Sequence, residues 1–323
     1  MEPTDTPTLP HSAKDSKTAF LFPGQGSQAI GMCKDLYDEF HPVREIFETA
    51  QDITNIDITG LCFNGPIETL TQTANLQPAI TAANIACLAA LNTVHPDPPD
   101  VCAGHSLGEY TALYQAGIIS LEDTFRLVQK RGEFMQREAE KYPGKMSAVL
   151  KLRPETVREI VEALGNEGII TVANYNTPSQ IVISGTPELL DKAADKVSQA
   201  GGATVPLKVS GAWHSGLIGG AKDEFAVFLD TVSFSAPTIP VIFNVTAAPE
   251  NDPVKIKSIM AAQFCSPVRW SDTMQQMQSY RARTFFEIGP GRVLTGLVKK
   301  NLPRDYARTL HNVFDLKTLA ALG

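Results

Sequence analysis

Gly104-His105-Ser106-Leu107-Gly108 fits the Gly-x-Ser-x-Gly pattern, in which two glycines let the chain turn sharply from strand to helix and lift a serine hydroxyl clear of the backbone. A serine so placed can attack a carbonyl, and the amide of Leu107 at the helix N-terminus can hold the oxyanion that forms. Five residues with three fixed positions also recur by chance, so the pattern must be weighed with its surroundings. The serine needs a base, and there are six histidines. His11 lies in a polar leading segment, His41 and His95 each precede a proline in linking segments, and His311 is near the C-terminus. His105 adjoins the serine, where neighbouring side chains diverge at a sharp turn. His214 remains, in the stretch Ser210-Gly211-Ala212-Trp213-His214-Ser215, downstream of the serine as in nucleophile-elbow enzymes.

Two further groups could act on a bound substrate. Pro23-Gly24-Gln25-Gly26-Ser27-Gln28 follows a short apolar strand. Gly24-x-Gly26-x-x-Ala29 can be read as a dinucleotide fingerprint, but Pro23, Gln25 and Gln28 fit the start of a packed helix poorly. The better use of the loop is to supply flexible amides, notably that of Gln25, as a second oxyanion donor beside Ser106. Arg131 falls on the apolar stripe of a helix with Leu121, Phe125, Val128 and Met135. A guanidinium facing a core needs a partner. That partner is either an Asp or Glu in a structural ion pair or the carboxylate of a substrate.

Hydrophobic periodicity supplies the elements that would position these groups. Strands are expected at residues 18–22, 101–103, 241–244 and 284–288. Helices are expected over 32–51, over 75–91 with Pro78 in its first turn, over 107–115, and from a capping box at Ser120 to about 138. Between 145 and 209 the order is βαββαβ: strands 146–152, 169–173, 180–184 and 204–209, with helices after Pro154 and after Thr186-Pro187. The expected fold is therefore α/β: a large α/β-hydrolase-like domain with a parallel sheet core, 17–144 and 210–323, into which a small ferredoxin-like α+β subdomain, 145–209, is inserted. A cleft should lie between them. Residues 1–16 read as a disordered lead.

Composition limits the function classes. The 323 residues are 43% hydrophobic and 20% charged, enough for a substantial core. A net charge of -7 argues against a general nucleic-acid binder. The five cysteines lack metal-ligand spacing and fit a reduced, cytoplasmic setting. The longest mostly apolar stretch, 79–91, is too short to span a bilayer. No metal site is expected.

Assembled, these segments resemble the malonyl-CoA:acyl carrier protein transacylases and the related acyltransferase domains of polyketide and fatty acid synthases. The matching stretches are Phe22-Pro23-Gly24-Gln25-Gly26-Ser27-Gln28, the serine motif with Glu109-Tyr110, Gln129-Lys130-Arg131-Gly132, Asn174-Tyr175-Asn176, Gly211-Ala212-Trp213-His214-Ser215 and Glu287-Ile288-Gly289-Pro290-Gly291. The resemblance implies Ser106 as nucleophile and His214 as base, with the main-chain carbonyl of Gln263 orienting the histidine. It implies an oxyanion hole at the amides of Gln25 and Leu107, and a substrate pocket with Arg131, Met135, Asn176 and Trp213. Arg131 would grip the malonyl carboxylate, and Trp213 stands where family members more often carry Phe. The implied partners are malonyl-CoA, a substrate and not a cofactor, and an acyl carrier protein, with neither nucleic acid nor membrane. Carrier proteins are acidic, so Arg283, Arg292, Lys299 and Lys300 are candidates for a local docking cluster. A serine thioesterase or esterase would share the elbow and His214 but offers no reason for Arg131; a catalytically idle docking subunit would not need Ser106 and His214 at all.

Overall fold

In the computed structural model, which describes residues 16–322, strand β1 (Lys17–Phe22) is buried on both faces. Phe20 and Phe22 enter one hydrophobic cluster and Ala19 and Leu21 another, as a strand covered by helices on both sides requires. The remaining strands are β2 (Val101–Gly104), β3 (Lys145–Leu150), β4 (Ile170–Thr177), β5 (Gln180–Gly185), β6 (Ala203–Pro206), β7 (Ala282–Ile288) and β8 (Thr309–Val313). They form two sheets, β2-β1-β7-β8, with every pairing parallel, and β4-β5-β3-β6, with every pairing antiparallel. The protein is thus mixed α/β, with a parallel sheet and a separate antiparallel one.

The register of the parallel sheet sets up the site. Phe22 is level with Gly104, so the loop after β1 and the turn after β2 leave the sheet side by side. Ligands of open parallel sheets gather at such carboxyl ends. In the antiparallel sheet the four strands follow the expected βαββαβ order, with the first strand, β3, between the third and the fourth.

Several sequence expectations shift. The helix expected over 32–51 is two, Lys34–Glu39 and His41–Thr54, separated at Phe40, which is extended (φ -106°, ψ 123°) and is the N-cap of the second, whose first turn takes Pro42. The alanine-rich helix runs Thr73–Val94, so Pro78 sits beyond its first turn, and it is longer than the apolar stretch suggested. It is long and apolar enough to cross a membrane, yet 83% of its apolar window is buried inside the protein. The strand expected at 241–244 is two isolated bridges, a parallel one from Val241 to Cys102 of the sheet and an antiparallel one from Ile242 to Pro249. β4 continues through Asn174-Tyr175-Asn176 where a loop was expected, with register shifts on the way and only Pro178-Ser179 in the turn. β8 and the helices Trp270–Ser279 and Val293–Asn301 had no sequence counterpart in our reading. At Ser120 the side chain accepts from Asp123 N at 3.0 Å, and the helix it opens runs Leu121–Lys141. The disordered lead expected at 1–16 lies, apart from its last residue, outside the described residues, and so does His11.

Candidate active site

The elbow closes because its glycines have no side chains. A Cβ on Gly104 would stand 1.9 Å from the Gly108 carbonyl carbon, and one on Gly108 would stand 2.0 Å from Phe22 O. Between them Ser106 is held at φ 49°, a left-handed conformation that costs a non-glycine residue free energy and persists only when neighbours impose it. The imposing neighbour is Asn244. Its Oδ1 accepts from Ser106 N at 2.7 Å and its Nδ2 donates to Gly104 O at 2.7 Å. The helix Gly108–Gln115 follows at once.

His214 reaches the serine. Nε2 and Ser106 Oγ are 2.8 Å apart, and Nδ1 lies 3.1 Å from the main-chain oxygen of Gln263, at the end of the helix Pro253–Gln263. A carbonyl can only accept, so Nδ1 carries the proton, Nε2 is left as acceptor, and the hydroxyl donates to it. Burial first, and the Arg131 cation second, push the imidazole down to about 3. It is therefore neutral, and a proton acceptor, at any physiological pH.

Arg131 is fully buried, in the middle of the helix Leu121–Lys141. Nη1 donates to Gln77 Oε1 at 2.9 Å, and Nη2 donates to Gln263 Oε1 at 3.1 Å and to Ser106 Oγ at 3.3 Å. Its Cζ lies 5.6 Å from the centre of the Tyr110 ring, and Nε has no partner among the described residues. No carboxylate forms an ion pair with it there, so the structural ion pair weighed from sequence is not what holds it. Two neutral amides do. A guanidinium held by neutral amides, which the Glu109 carboxyl reaches only through Gln263, can receive an anion one hydrogen bond from the serine hydroxyl.

The loop after β1 is more tightly fastened than its glycines suggested. Ser27 Oγ donates to Gly24 O (2.8 Å), Asn84 Nδ2 to Pro23 O (2.9 Å) and Gln25 Nε2 to Thr73 Oγ1 (3.1 Å). A Cβ at Gly24 would lie 2.5 Å from His105 O and 3.5 Å from Leu107 N, so loop and elbow are in contact. The amides of Gln25 and Leu107 have no acceptor among the described residues. No helix follows the loop until Lys34, which removes the dinucleotide reading.

A cleft with about 800 Å³ of empty space opens over Ser106, walled by residues of both sheets' segments. Gln25, Ser106 and Leu297 line it from one side, Asn176, Val182 and Leu207 from the other. Trp213 lies on the wall at 4% exposure, stacked so closely on Gly211 that a Cβ there would meet its ring at 2.6 Å. Asn176 Oδ1 lies 2.9 Å from His105 Nε2, which ties the antiparallel sheet to the elbow. The His105 ring packs against Trp270. Met135 is buried, as Arg131 is, and its Sδ takes a hydrogen bond from Gln77 Nε2 at 3.1 Å. It holds the residue that holds Arg131. The other weighed histidines are remote, with His95 and His311 stacked on Phe286 and His41 paired with Glu45 at the surface.

Sequence reasoning missed Gln77, Asn244 and the buried carboxyl of Glu109. Gln77 carried a signal: Thr73, Gln77 and Asn84 interrupt an apolar helix and fall within about 40° of one another at 3.6 residues per turn. A polar stripe on an otherwise apolar helix asks for buried partners, and these three find Gln25, Arg131 and Pro23.

The acyl transferase domain family matches residues 19–316. A malonyl CoA-acyl carrier protein transacylase of Bacillus subtilis is 40% identical over 287 residues, covering 88% of this chain and 90% of the relative. An acyl carrier protein S-malonyltransferase crystal structure from Vibrio cholerae superposes with a TM-score of 0.90 at 38% identity, covering 95% of this chain and all of the other. A malonyl-transacylase solved in complex with a type II polyketide synthase acyl-carrier protein gives a TM-score of 0.90 at 36% identity, over 95% of this chain and 98% of the other. A serine, a histidine and an unpaired arginine meeting at the carboxyl ends of a parallel sheet, in a chain with these likenesses, leave one assignment: the chain belongs to the malonyl-CoA:acyl carrier protein transacylase family of acyl transferase domains.

Proposed function

We propose that this protein moves a malonyl group from malonyl-CoA to the phosphopantetheine thiol of an acyl carrier protein, by a ping-pong route through malonyl-Ser106. His214 Nε2 takes the hydroxyl proton as Oγ attacks the thioester carbonyl. The tetrahedral oxyanion is held by the amides of Gln25 and Leu107 and collapses with departure of CoA, whose thiolate takes the proton back from His214. The carrier thiol then enters the same cleft and reverses the steps. Both thioesters are chemically alike, so the transfer is nearly balanced and calls on no metal or redox cofactor; the enzyme must mainly keep water out.

The observation that carries this reading is Arg131, buried without an acid partner and 3.3 Å from Ser106 Oγ. A malonyl carboxylate there pairs directly with the guanidinium, which the Glu109 carboxyl reaches only through Gln263. It also offsets the cation that lowers His214, so the substrate strengthens the base that activates its own attacker. Replacing Arg131 by Ala should cost malonyl transfer roughly 1.5 to 3 kcal/mol, the worth of a charge-assisted hydrogen bond, and acetyl transfer much less. Steady-state rates with both thioesters check this. Equal losses would favour a serine thioesterase or esterase. Trp213 narrows the pocket where a branched acyl group would sit, although one methyl group is worth only about 1 to 3 kcal/mol of discrimination.

We read the parallel-sheet part, 17–144 and 210–323, as an α/β-hydrolase-like domain, and 145–209 as a ferredoxin-like insertion; the strand order with β3 between β5 and β6 supports the latter. We also infer a soluble, cytoplasmic protein, supported by the interior position of the long apolar helix Thr73–Val94. For carrier docking, Arg292, Lys299 and Lys300 are exposed on the helix Val293–Asn301, whose Leu297 lines the cleft, while Arg283 opens β7 at the opposite end of the sheet. Reversing the charge of the first three should raise KM for the carrier and leave KM for malonyl-CoA in place; an unchanged carrier KM rejects the patch.

A further inference from the structure

Beneath the elbow lies a carboxyl group that the transfer chemistry does not call on. Glu109, the second residue of the helix Gly108–Gln115, is fully buried. Its Oε1 accepts from Asn244 N and its Oε2 from Gln263 Nε2, each at 2.6 Å. It forms no ion pair among the described residues. The same Gln263 Nε2 also donates to Ser106 O at 2.9 Å, and Gln263 Oε1 accepts from Arg131 Nη2 at 3.1 Å.

The orientation of one side-chain amide is at stake. A primary amide has a donor end and an acceptor end of nearly the same shape, and only its partners decide which end faces which way. Ionised Glu109 can only accept, so it draws the NH2 of Gln263 to itself and leaves the oxygen for Arg131. A group that had to donate toward Gln263 would turn the amide over. The NH2 would then face the guanidinium, donor against donor, and Gln263 Oε1 would face Ser106 O, acceptor against acceptor. Arg131 would lose one of the two amides that aim it. By contrast, the oxygen that orients His214 belongs to the Gln263 main chain, which an amide flip does not move.

We propose that Glu109 is a positioning residue for recognition of the substrate carboxylate: it sets which end of the Gln263 amide meets Arg131 and thereby aims the guanidinium. The inference rests on the malonyl-transfer reading and deepens it. It separates two jobs within one cluster, since the Ser106–His214 pair stays assembled without it while the grip on the acyl tail does not.

The acid–base behaviour of the cluster agrees. Burial pushes the Glu109 carboxyl up to about 7, against the pull of its two hydrogen bonds and of Arg131. The titratable groups around it are Arg131 on the helix Leu121–Lys141, Tyr110 beside it, and His214 and His105 about Ser106. Burial raises Tyr110, and it lowers both His105 and His214, the latter to about 3. Between pH 6 and 8 the charge that changes most here is that of Glu109. Once protonated below about 7 it carries a proton to donate, and Gln263 offers it an acceptor when its amide turns over.

The test compares single-turnover acylation of Ser106 by malonyl-CoA and by acetyl-CoA, read by intact mass, in the full chain. Using two donors with the same CoA cancels effects on the handle. Glu109→Gln should lower the malonyl-to-acetyl ratio of kcat/KM about tenfold or more, chiefly through a higher KM for malonyl-CoA, with Glu109→Asp recovering part of it. The unaltered enzyme should show the same ratio falling several-fold from pH 8 to pH 6. If Glu109→Gln slows both donors equally and leaves the ratio within about threefold, Glu109 is merely structural and the inference is wrong. Should Glu109→Gln fail to fold, the pH series decides alone: a falling ratio supports the inference and a flat one overturns it. An unaltered enzyme that never forms malonyl-Ser106 defeats the transfer reading itself, and this inference with it.

Discussion

Replacing Ser106 by Ala leaves a folded protein that takes up no malonyl group from malonyl-CoA. Among the described residues Ser106 Oγ is the one hydroxyl hydrogen-bonded to His214 Nε2, at 2.8 Å, and so the acceptor of the ping-pong route. Losing a nucleophile of this kind lowers turnover by on the order of 10⁴-fold or more. Fold should survive, because the left-handed turn at residue 106 is imposed through the backbone, by Asn244 on the amide and by the glycines on either side. Intact mass after mixing with malonyl-CoA, beside a thermal melt, separates the two effects. An adduct that persists in Ser106→Ala would move the acyl carrier to another residue and dismantle the mechanism.

Replacing His214 by Ala should cost about 10²- to 10⁴-fold in acylation, the usual worth of a positioned general base. The pH profile gives a sharper check. A histidine held at about 3 stays unprotonated above that value, so acylation by acetyl-CoA should show no acid limb between about pH 5 and 8. The sign follows from the cause: burial and the Arg131 cation both disfavour imidazolium, so the working form is favoured at neutral pH and fails only in strong acid. An acid limb near 6.5 would mean that the imidazole is solvated in the working enzyme, contrary to its 3% exposure.

Much of this site could be read from residue types. The elbow glycines declare a close approach, elimination among the histidines reaches His214, and an arginine on an apolar stripe asks what it is for. What stayed hidden depends on distances in space. Nothing local ties Glu109 to Gln263, 154 positions away, or Asn244 to Ser106, 138 positions away, and the register of β1 against β2 brings together loops that no periodicity connects. The strand at 241–244 was misread because a short apolar run has the same pattern whether it pairs over its length or touches the sheet at one bridge.

The helix Thr73–Val94 has a consequence beyond scaffolding. Thr73, Gln77 and Asn84 fasten the oxyanion loop and the guanidinium to a long helix that is buried along most of its length. Amide hydrogens in such a segment exchange only when the whole domain opens. The working geometry is therefore tied to a segment that should exchange slowly, and in a denaturant series catalytic competence and helical signal should vanish at one shared midpoint.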